Sequence, residues 1–423
     1  MTNHAPIHPD CEGPRLSRRG ALLGLVSALT LGGSGLALAQ GLPGAAAGAF
    51  SDARFVVMLL RGALDGLAAV PAYGDPAFAA LRGSLALPEP GQEGGVLDLG
   101  GRFGMHPKLA RLHAAYRDNQ ALVVHAVAGP YRTRSHFDAQ DMLESGAAQR
   151  LSSGWLNRAL VAMPERRGTG QRGTSPTGLS VGLDVPLLLR GGIAVQNYAP
   201  PGAVAVNDDL MARIEGLLAR DATLGTAFAR GREERGLASA TLQGDEPGGM
   251  AGPERRSSFV SLAGAAGRLL ASPTGPRVAA LEAGGFDTHS GQSPRLAAAL
   301  TTLDEGLWAL RQGLGEAWGR TAVLVLTEFG RTARVKGTGC TDHGTGGVAL
   351  ILGGAVAGGQ VRGDWPGLGA GRLFEDRDLQ PTTDVQAIAK GLLRDHLRLP
   401  AAAVDQAFPD SAAVTPMGGL VRA

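Results

Sequence analysis

The stretch AVLVLT at residues 322–327 is apolar up to its last residue and is immediately followed by Glu328. Continuous hydrophobicity over such a short run is typical of a strand that is buried on both faces of a parallel sheet. Four other short runs have the same character: FVVMLL at 55–60, ALVVHAV at 121–127, VAALE at 278–282 and VALIL at 348–352. Together the five runs predict the strands of a mostly parallel sheet.

Helical patterns lie between these runs. Ser293 and Pro294 suit the N-cap and first turn of a helix, and leucines then recur at helical spacing. Residues 107–119 and 385–393 show similar patterns, and the second should end before Pro400. This alternation of strands and helices predicts a doubly wound α/β fold.

Two polar stretches interrupt the alternation. Residues near 164–180 are polar and rich in Gly, and residues near 230–256 are charged, with Gly, Pro and Ser throughout. Such compositions are typical of long surface loops or insertions. The sequence contains no internal repeat and no clear interdomain linker, so residues 40–423 are predicted to form a single domain.

The first 39 residues have the character of an export signal. SRRG at 17–20 begins a twin-arginine pattern, an apolar run follows, and ALA at 37–39 suits signal peptidase cleavage before Gln40. An uncleaved membrane anchor is the alternative, but glycines and serines make this run a poor spanning helix. We therefore expect residues 1–39 to be a twin-arginine signal peptide that engages the twin-arginine export machinery. The mature protein should then be periplasmic or otherwise exported, with no stable membrane span.

Composition disfavours several classes of protein. The formal net charge of +2 does not indicate a partner such as nucleic acid or an anionic membrane. Cys11 lies in the expected signal peptide, so Cys340 would remain alone and could form no internal disulfide. A redox-linked protein, which the export route alone would suggest, is disfavoured by the single cysteine and by the lack of a haem motif.

Acidic and histidine side chains follow the apolar runs, where the strands are expected to end. Open α/β sheets bind ligands at the carboxyl ends of their strands, and Asp, Glu and His hold divalent metals or move protons. Asp65 is either a metal ligand or part of an Asp-Gly turn. Asp287 and His289 would point the same way from an extended loop, as a metal half-site requires. An Asp N-cap with a hydrogen-bonded His is the alternative at this position.

Two later segments extend this set. Glu328 would serve as a metal ligand or proton acceptor, with Arg331 binding an anion, or the two residues would form an ion pair with each other. In the loop before residue 348, His343 is the better ligand candidate, and Asp342 would orient the His343 ring without binding the metal itself.

The segment YRTRSHFD at 131–138 follows the second apolar run and opens a predicted helix, with an approximate capping box. A hydroxyl at a helix N-terminus also lies in positive potential, where an anionic substrate would bind. Ser135 or Thr133 is therefore a candidate nucleophile, and His136 is a candidate base or metal ligand. Two arginines of the segment would add charge for binding an anion: Arg132 and Arg134.

Five motifs, in their order along the chain and behind a twin-arginine leader, resemble the exported bacterial family known as domain of unknown function 1501. They are LRGALDGL at 60–67, RSHFDAQ at 134–140, GGFDTH at 284–289, TEFGRT at 327–332 and DHGTG at 342–346. That family is grouped with the alkaline phosphatase-like superfamily, which includes phosphatases, sulfatases and phosphomutases. The resemblance implies a three-layer α/β/α sandwich with a mostly parallel central sheet and a metal site at its carboxyl edge.

The same resemblance implies roles for individual residues. Metal ligands are implied at Asp65, Asp287, His289 and His343. The nucleophile is implied at Thr133 or Ser135. The chain departs from the pattern at Glu328-Phe329, where many relatives carry Asp-His, and this leaves a second metal short of a ligand. The signature of formylglycine sulfatases is also absent.

From these observations we expect an exported, metal-dependent hydrolase of phosphate or sulfate esters. Its cofactor would be a divalent metal, either zinc, manganese or calcium, and its substrate a small-molecule ester. The alternative is a non-catalytic cell-envelope protein that uses the same fold for binding or assembly, and the departure at Glu328-Phe329 favours this alternative.

Overall fold

The structure is a computed structural model that describes residues 52–163, 177–199 and 257–422, the short strands between 166 and 175, and a few positions between 218 and 231. The predicted signal peptide and most of the two predicted insertions lie outside the described residues. Thirteen strands occur in the described part: β1 (Arg54–Leu60), β2 (Leu97–Asp98), β3 (Gly104–Met105), β4 (Ala121–Ala128), β5 (Arg166–Arg167), β6 (Thr174–Ser175), β7 (Gly178–Val181), β8 (Gln196–Tyr198), β9 (Val278–Ala283), β10 (Thr321–Thr327), β11 (Gly347–Leu352), β12 (Val361–Arg362) and β13 (Thr383–Asp384).

Nine α-helices are defined in the same ranges: α1 (Gly66–Ala69), α2 (Phe78–Arg82), α3 (Ala110–Arg117), α4 (His136–Ser145), α5 (Trp155–Leu160), α6 (Ser257–Ala271), α7 (Gln292–Leu314), α8 (Val385–Asp395) and α9 (Ala401–Ala407). Short 3₁₀ turns occur at Gly83–Leu85, Pro107–Leu109, Leu187–Leu189 and Gly315–Arg320. None of these helices combines the length and the apolar character that crossing a membrane requires.

The central sheet is mostly parallel. Its strand order is β12-β4-β11-β10-β1-β9-β7-β8, with β13 pairing beside β4. β1 pairs in parallel with β10 and with β9, and the parallel arrangement continues through β7 to β8. β11 runs antiparallel to both β10 and β4. The amino end of β11 therefore lies at the same edge of the sheet as the carboxyl ends of its neighbours.

Two apolar cores lie on opposite faces of this sheet. Successive side chains of a strand point to opposite faces, and those of β1 alternate between the cores: Val56, Met58 and Leu60 pack into one, Phe55, Val57 and Leu59 into the other. Helices α3, α6 and α7 cover the first core, while α5, α8 and α9 cover the second. Burying each such side chain contributes roughly 1.5–3 kcal/mol. The three-layer α/β/α sandwich with a mostly parallel sheet is thus confirmed.

The five predicted strands correspond to β1, β4, β9, β10 and β11, although the antiparallel direction of β11 departs from the prediction. Helix α8 ends at Asp395, before Pro400, as expected, and α9, which was not predicted, follows at Ala401–Ala407. The N-cap predicted at Ser293 is wrong, because Gly291 is the N-cap of α7 in a left-handed conformation (φ 55°) and Gln292 begins the helix. Gln292 is buried there and donates to Asp65. The expectation of a single domain over residues 40–423 stays a prediction.

Candidate metal centre

Five loops meet at one edge of the sheet. Four of them follow the carboxyl ends of β1, β4, β9 and β10, and the fifth precedes the amino end of β11. Because β11 runs against its neighbours, its leading loop lies beside their trailing loops. This topology brings side chains as distant in the sequence as His136 and His343 into contact.

At this edge the Nε2 atoms of two imidazole rings approach the Nε2 atom of a third ring, that of His343. His136 Nε2 lies 2.9 Å from His343 Nε2, and His289 Nε2 lies 2.7 Å from the same atom. The carboxylate of Asp287 joins them, since its Oδ1 lies 2.8 Å from His289 Nε2 and 3.4 Å from His343 Nε2. One ligand atom from each of His136, Asp287 and His343 lies within 4.8 Å of the other two. We refer to His136, Asp287, His289 and His343 as the His–Asp cluster.

The outer nitrogens of two rings are held by hydrogen-bond acceptors. His136 Nδ1 lies 2.7 Å from Glu328 Oε1, and His343 Nδ1 lies 3.1 Å from the carbonyl oxygen of Arg134. A carbonyl oxygen and an ionised carboxylate only accept hydrogen bonds, so each Nδ1 carries a proton. If both rings are neutral, the lone pairs of the two Nε2 atoms face each other at 2.9 Å and repel each other. A cation between the two atoms removes this repulsion. The donor set therefore requires a proton or a metal ion at its centre.

The spacing and exposure of the cluster suit a metal ion. Ligand atoms about 2.0–2.1 Å from zinc lie roughly 3.3 Å apart in a tetrahedron, and the contacts of the cluster, at 2.7, 2.8, 2.9 and 3.4 Å, are close to this value or about half an ångström shorter. The side chains of Asp287 and His289 are 47% and 42% exposed. The cluster is therefore open to solvent on this side.

Arg331 holds Asp287 from the protein interior. Its buried guanidinium donates to Asp287 Oδ1 at 3.0 Å, and to the hydroxyl and carbonyl oxygens of Thr341 at 3.2 and 2.8 Å. Burial opposes ionisation of Asp287, but the hydrogen bond from Arg331, followed by the charge of His289, outweighs it and lowers the pKa of the carboxyl group. Arg331 thus pairs with Asp287, and not with Glu328 as one sequence interpretation suggested.

Glu328 lies behind the cluster, with a side chain that is only 1% exposed. Its carboxylate accepts hydrogen bonds from His136, from Gln140 and from the backbone N–H of Gly62. Burial would raise the pKa of Glu328, but the hydrogen bond from His136 and then the others lower it to about 2. The same bond raises the pKa of His136. Gln140 was not among the predicted site residues, although its position four residues after His136 places both on one face of α4.

Asp342 does not have the orienting role that the sequence suggested. It lies 3.6 Å from Nδ1 of His289, whereas Nδ1 of His343 faces the carbonyl oxygen of Arg134. An ion pair with Lys336 is the main reason why the pKa of Asp342 is lowered. Burial, followed by the charge of His136, lowers the pKa of His343.

Asp65 follows β1 as predicted, but its carboxylate is engaged elsewhere. It is buried and accepts from Arg82 Nη2 at 2.6 Å, from Gln292 Nε2 at 2.5 Å and from Thr341 Oγ1 at 3.2 Å. Its Oδ1 also caps α1 by accepting from the N–H of Ala68 at 3.0 Å. The structure therefore does not bring Asp65 into the His–Asp cluster. Its role as the N-cap of α1 is closer to the alternative interpretation, in which Asp65 is part of an Asp-Gly turn.

The segment before α4 contacts the cluster through the carbonyl oxygen of Arg134, which faces His343. Ser135 is the N-cap of α4, as the capping pattern indicates, but its side chain makes no capping hydrogen bond. Thr133 and Arg132 are exposed. Arg132 donates to the carbonyl oxygens of Gly129 and Tyr131. The guanidinium of Arg134 binds two carboxylates, at Asp378 and Glu375.

Comparison with solved structures finds remote likeness. A phosphonate monoester hydrolase of Agrobacterium radiobacter is 11% identical over 82% of this chain and 74% of that chain, with a TM-score of 0.37. The C-terminal periplasmic domain of EcEptC from Escherichia coli, in complex with Zn, is 10% identical over 72% of this chain and 73% of that chain, with a TM-score of 0.33. Ps i-CgsB in complex with k-i-k-neocarrahexaose is 8% identical over 73% and 68%, with a TM-score of 0.34. No curated protein matches the chain significantly.

A family model matches residues 121–408, which is more than half of the chain. The matched range includes the whole His–Asp cluster and Glu328, while β1 and Asp65 precede it. Its description is a protein of unknown function, so the match alone names no activity. The chain belongs to this family, DUF1501.

Proposed function

We propose that this chain is a metal-dependent hydrolase that acts on phosphate or sulfate esters. The observation that carries the proposal is the approach of His136 Nε2 to His343 Nε2 at 2.9 Å, where two lone pairs need a cation between them. Asp287 supplies the negative charge that favours a divalent ion over a proton. His289 supplies a third imidazole beside Asp287, at 2.8 Å.

The donor set favours zinc among the three metals considered. Three imidazole nitrogens and one carboxylate oxygen are ligands typical of zinc sites, and imidazole suits zinc better than manganese. Calcium takes about six to eight oxygen ligands, and the cluster offers the oxygens of a single carboxylate. We therefore propose one zinc ion per chain, held by the His–Asp cluster.

When bound, a zinc ion supplies Lewis-acid polarisation of an ester oxygen. The chain itself would supply access and a nucleophile. The exposed sides of Asp287 and His289 leave room for a substrate to approach. The hydroxyl of Ser135 adjoins His136 at the N-terminus of α4, whose positive potential favours an anionic ester there. Thr133 is the alternative nucleophile.

The three candidate arginines divide into two roles in this proposal. Arg331 would position Asp287, and Arg134 would position His343 through its carbonyl oxygen, because both guanidinium groups already bind carboxylates. Arg132 is exposed and forms hydrogen bonds with backbone carbonyls only among the contacts described. It is the candidate for binding the anionic oxygens of the ester.

We further propose that the protein acts after export. The support is the twin-arginine pattern at 17–20, the apolar run and the cleavage pattern before Gln40. Detection of the mature chain beginning at Gln40 in a periplasmic fraction tests this part separately, and retention of the full-length chain in the cytoplasm contradicts it.

Metal analysis combined with ester hydrolysis tests the proposal. The purified protein should contain stoichiometric zinc and hydrolyse p-nitrophenyl phosphate or p-nitrophenyl sulfate. Asp287→Asn and His343→Ala should lose both properties. Asp304→Asn is the matched control, because this buried carboxylate accepts from the N–H of Leu112 at 2.9 Å, outside the cluster, and the variant should keep both. Protein that binds no metal and cleaves neither ester contradicts the proposal, whereas bound metal without hydrolysis favours the non-catalytic envelope protein.

A further inference from the structure

We infer that Glu328 is a positioning residue that orients His136 and is not itself a metal ligand. The inference rests on the proposed zinc site and assigns a role to the buried carboxylate behind it. A ligand and a positioning residue differ in whether a carboxylate oxygen faces the metal with a free lone pair. The contacts of Glu328 decide between the two.

Both oxygens of Glu328 face protein groups. Oε1 accepts from His136 Nδ1 at 2.7 Å, from the N–H of Gly62 at 2.9 Å and from Gln140 Nε2 at 3.0 Å. Oε2 lies 2.9 Å from the hydroxyl of Thr327, whose one proton is also within reach of the carbonyl oxygen of Leu60 at 3.0 Å, and Glu328 is not among the residues whose ligand atoms gather within 4.8 Å of one another. Three donors exceed the two lone pairs of Oε1, so this oxygen has no lone pair left for a metal. The nearest atom of the cluster to Glu328 is the outer nitrogen of His136, on the side of the ring away from His343.

The same contacts fix the ring of His136. The bond to Glu328 keeps the proton on Nδ1 and leaves the lone pair of Nε2 facing His343 and Asp287, which is the tautomer that a metal needs. The ring of Phe329 packs beside the imidazole, with centroids 5.0 Å apart, and limits its rotation. The pair Glu328-Phe329 therefore holds one ligand in place from two directions.

The carboxylate is itself held rigidly. Gly62 lies in the loop after β1, Thr327 ends β10 and Gln140 lies on α4, so three separate elements fix the position of Glu328. A carboxylate that hydrogen-bonds the outer nitrogen of a ligating histidine is the usual supporting group of a zinc site, and its loss weakens metal binding by about 10- to 100-fold.

Zinc affinity and the cobalt spectrum together test this role. Zinc affinity is measured by competition with a chromophoric chelator, and the visible absorption of the Co²⁺-substituted protein reports the number and geometry of ligands. Glu328→Gln should weaken zinc binding by about 10-fold or more and should leave the cobalt spectrum unchanged. A changed cobalt spectrum would identify Glu328 as a ligand, and unchanged zinc affinity would remove its positioning role. Either outcome overturns the inference.

Zinc binding by the wild type and by the variants distinguishes failure of this inference from failure of the proposed zinc site. If the wild-type protein binds no zinc, the proposed metal site fails first; if it binds zinc and Glu328→Gln binds it equally well, the inference about Glu328 fails alone. Gln140→Leu removes one donor to Glu328 and serves if Glu328→Gln does not fold. It should weaken zinc binding with no change in the cobalt spectrum, and unchanged affinity would count against the inference. Asp304→Asn controls for loss of a buried carboxylate and should bind zinc as the wild type does.

Discussion

At the scale of single residues, three carboxylates at the same edge of the sheet differ in what their oxygens contact. Asp287 is 47% exposed and lies against imidazole nitrogens, Glu328 is surrounded by donors, and Asp65 is paired with a buried arginine. A metal ion recruits the carboxylate whose oxygens are not already used. Asp287 meets this condition best, so residue type and strand position are less informative than the immediate partners of each oxygen.

His125, in β4, is a buried histidine outside the site. Its Nε2 donates to the carbonyl oxygen of Val70 at 2.9 Å, and its Nδ1 accepts from the N–H of Ala126 at 3.0 Å. Burial lowers the pKa of His125 to about 4. Between this pH and about pH 6.5 the ring is therefore neutral in the folded chain but protonated in the unfolded chain. We expect the free energy of unfolding to fall by about 3 kcal/mol on this account as the pH drops from about 6.5 to about 4.

Urea denaturation at pH 7 and at pH 4.5 measures this loss. His125→Gln cannot take up a proton and should show a smaller difference between the two pH values, whatever its absolute stability. His113→Gln is the control, because the ring of His113 lies near the surface and contacts the carbonyl oxygen of Asp98. An equal difference in the wild type and in both variants would contradict the assignment to His125.

The sequence indicated all four members of the cluster but did not distinguish them from Asp65 and Glu328, which it placed in the same set. Asp287, His289 and His343 follow or precede strongly apolar runs, and His136 opens a predicted helix, so their meeting at one sheet edge could be anticipated. The role of Asp65 depends on Arg82 and Gln292, and that of Glu328 depends on Gly62 and Gln140. These partners are hydrogen-bond donors with no shared motif, and only the folded chain brings them together.

At the scale of elements, Asp65 connects several segments that no strand pairing joins. It caps α1 and accepts from Arg82 at the end of α2, from Gln292 at the start of α7 and from Thr341 in the loop before β11. Removing one partner of a buried ion pair leaves the other charge without compensation and costs about 3–5 kcal/mol. We expect Asp65→Asn to lower the free energy of unfolding by about this amount while stoichiometric zinc binding is retained.

Chemical denaturation and metal analysis of the same protein sample test the role of Asp65. Asp118→Asn, an exposed change at the end of α3, is the control and should leave both quantities unchanged. Loss of zinc from Asp65→Asn with stability unchanged would instead restore Asp65 as a metal ligand.

Two loops of the site touch through a glycine. Gly62, after β1, has φ +112°, and a Cβ atom there would lie 2.4 Å from the backbone nitrogen of Asp287. Gly62→Ala should therefore displace the loop after β9, weaken zinc binding and lower stability by about 1–3 kcal/mol through overpacking. Gly100→Ala is a matched control, because Gly100 has φ +107° with no atom within 4 Å of the added Cβ, so it tests strain without the clash. Equal zinc affinity in the two variants, measured by chelator competition, would show that the contact does not position Asp287.

The elements themselves were largely predictable, and their directions were not. Apolar runs of five to seven residues indicated β1, β4, β9, β10 and β11 because burial on both faces leaves the same pattern in either direction. The antiparallel course of β11 has no signature in VALIL, since it is fixed by its pairing with β10 and β4. The start of α7 was misplaced for a related reason, because the buried amide of Gln292 is satisfied by Asp65, which is far away in the sequence.

At the scale of the whole molecule, the cluster joins parts of the fold that are distant in the sequence. His136 begins α4 after β4, Asp287 and His289 follow β9, and His343 precedes β11, so the ligands span the sheet from β4 to β9. Such a cluster exists only when these strands are paired in their native order. A metal ion bound to it should therefore stabilise the entire sheet and not one loop.

Thermal unfolding measures this coupling between the metal ion and the fold. A ligand that binds only the folded state stabilises it by about 2.7 kcal/mol at a free concentration of 100 times its Kd, which should raise the Tm of the wild-type protein by several degrees. A chelator should reverse the shift, and Asp287→Asn, which loses the central carboxylate, should show no shift with zinc. No other cluster of three or more such ligands occurs in the described ranges, so a zinc-dependent rise in Tm that persists in Asp287→Asn would contradict the role of Asp287 as a ligand.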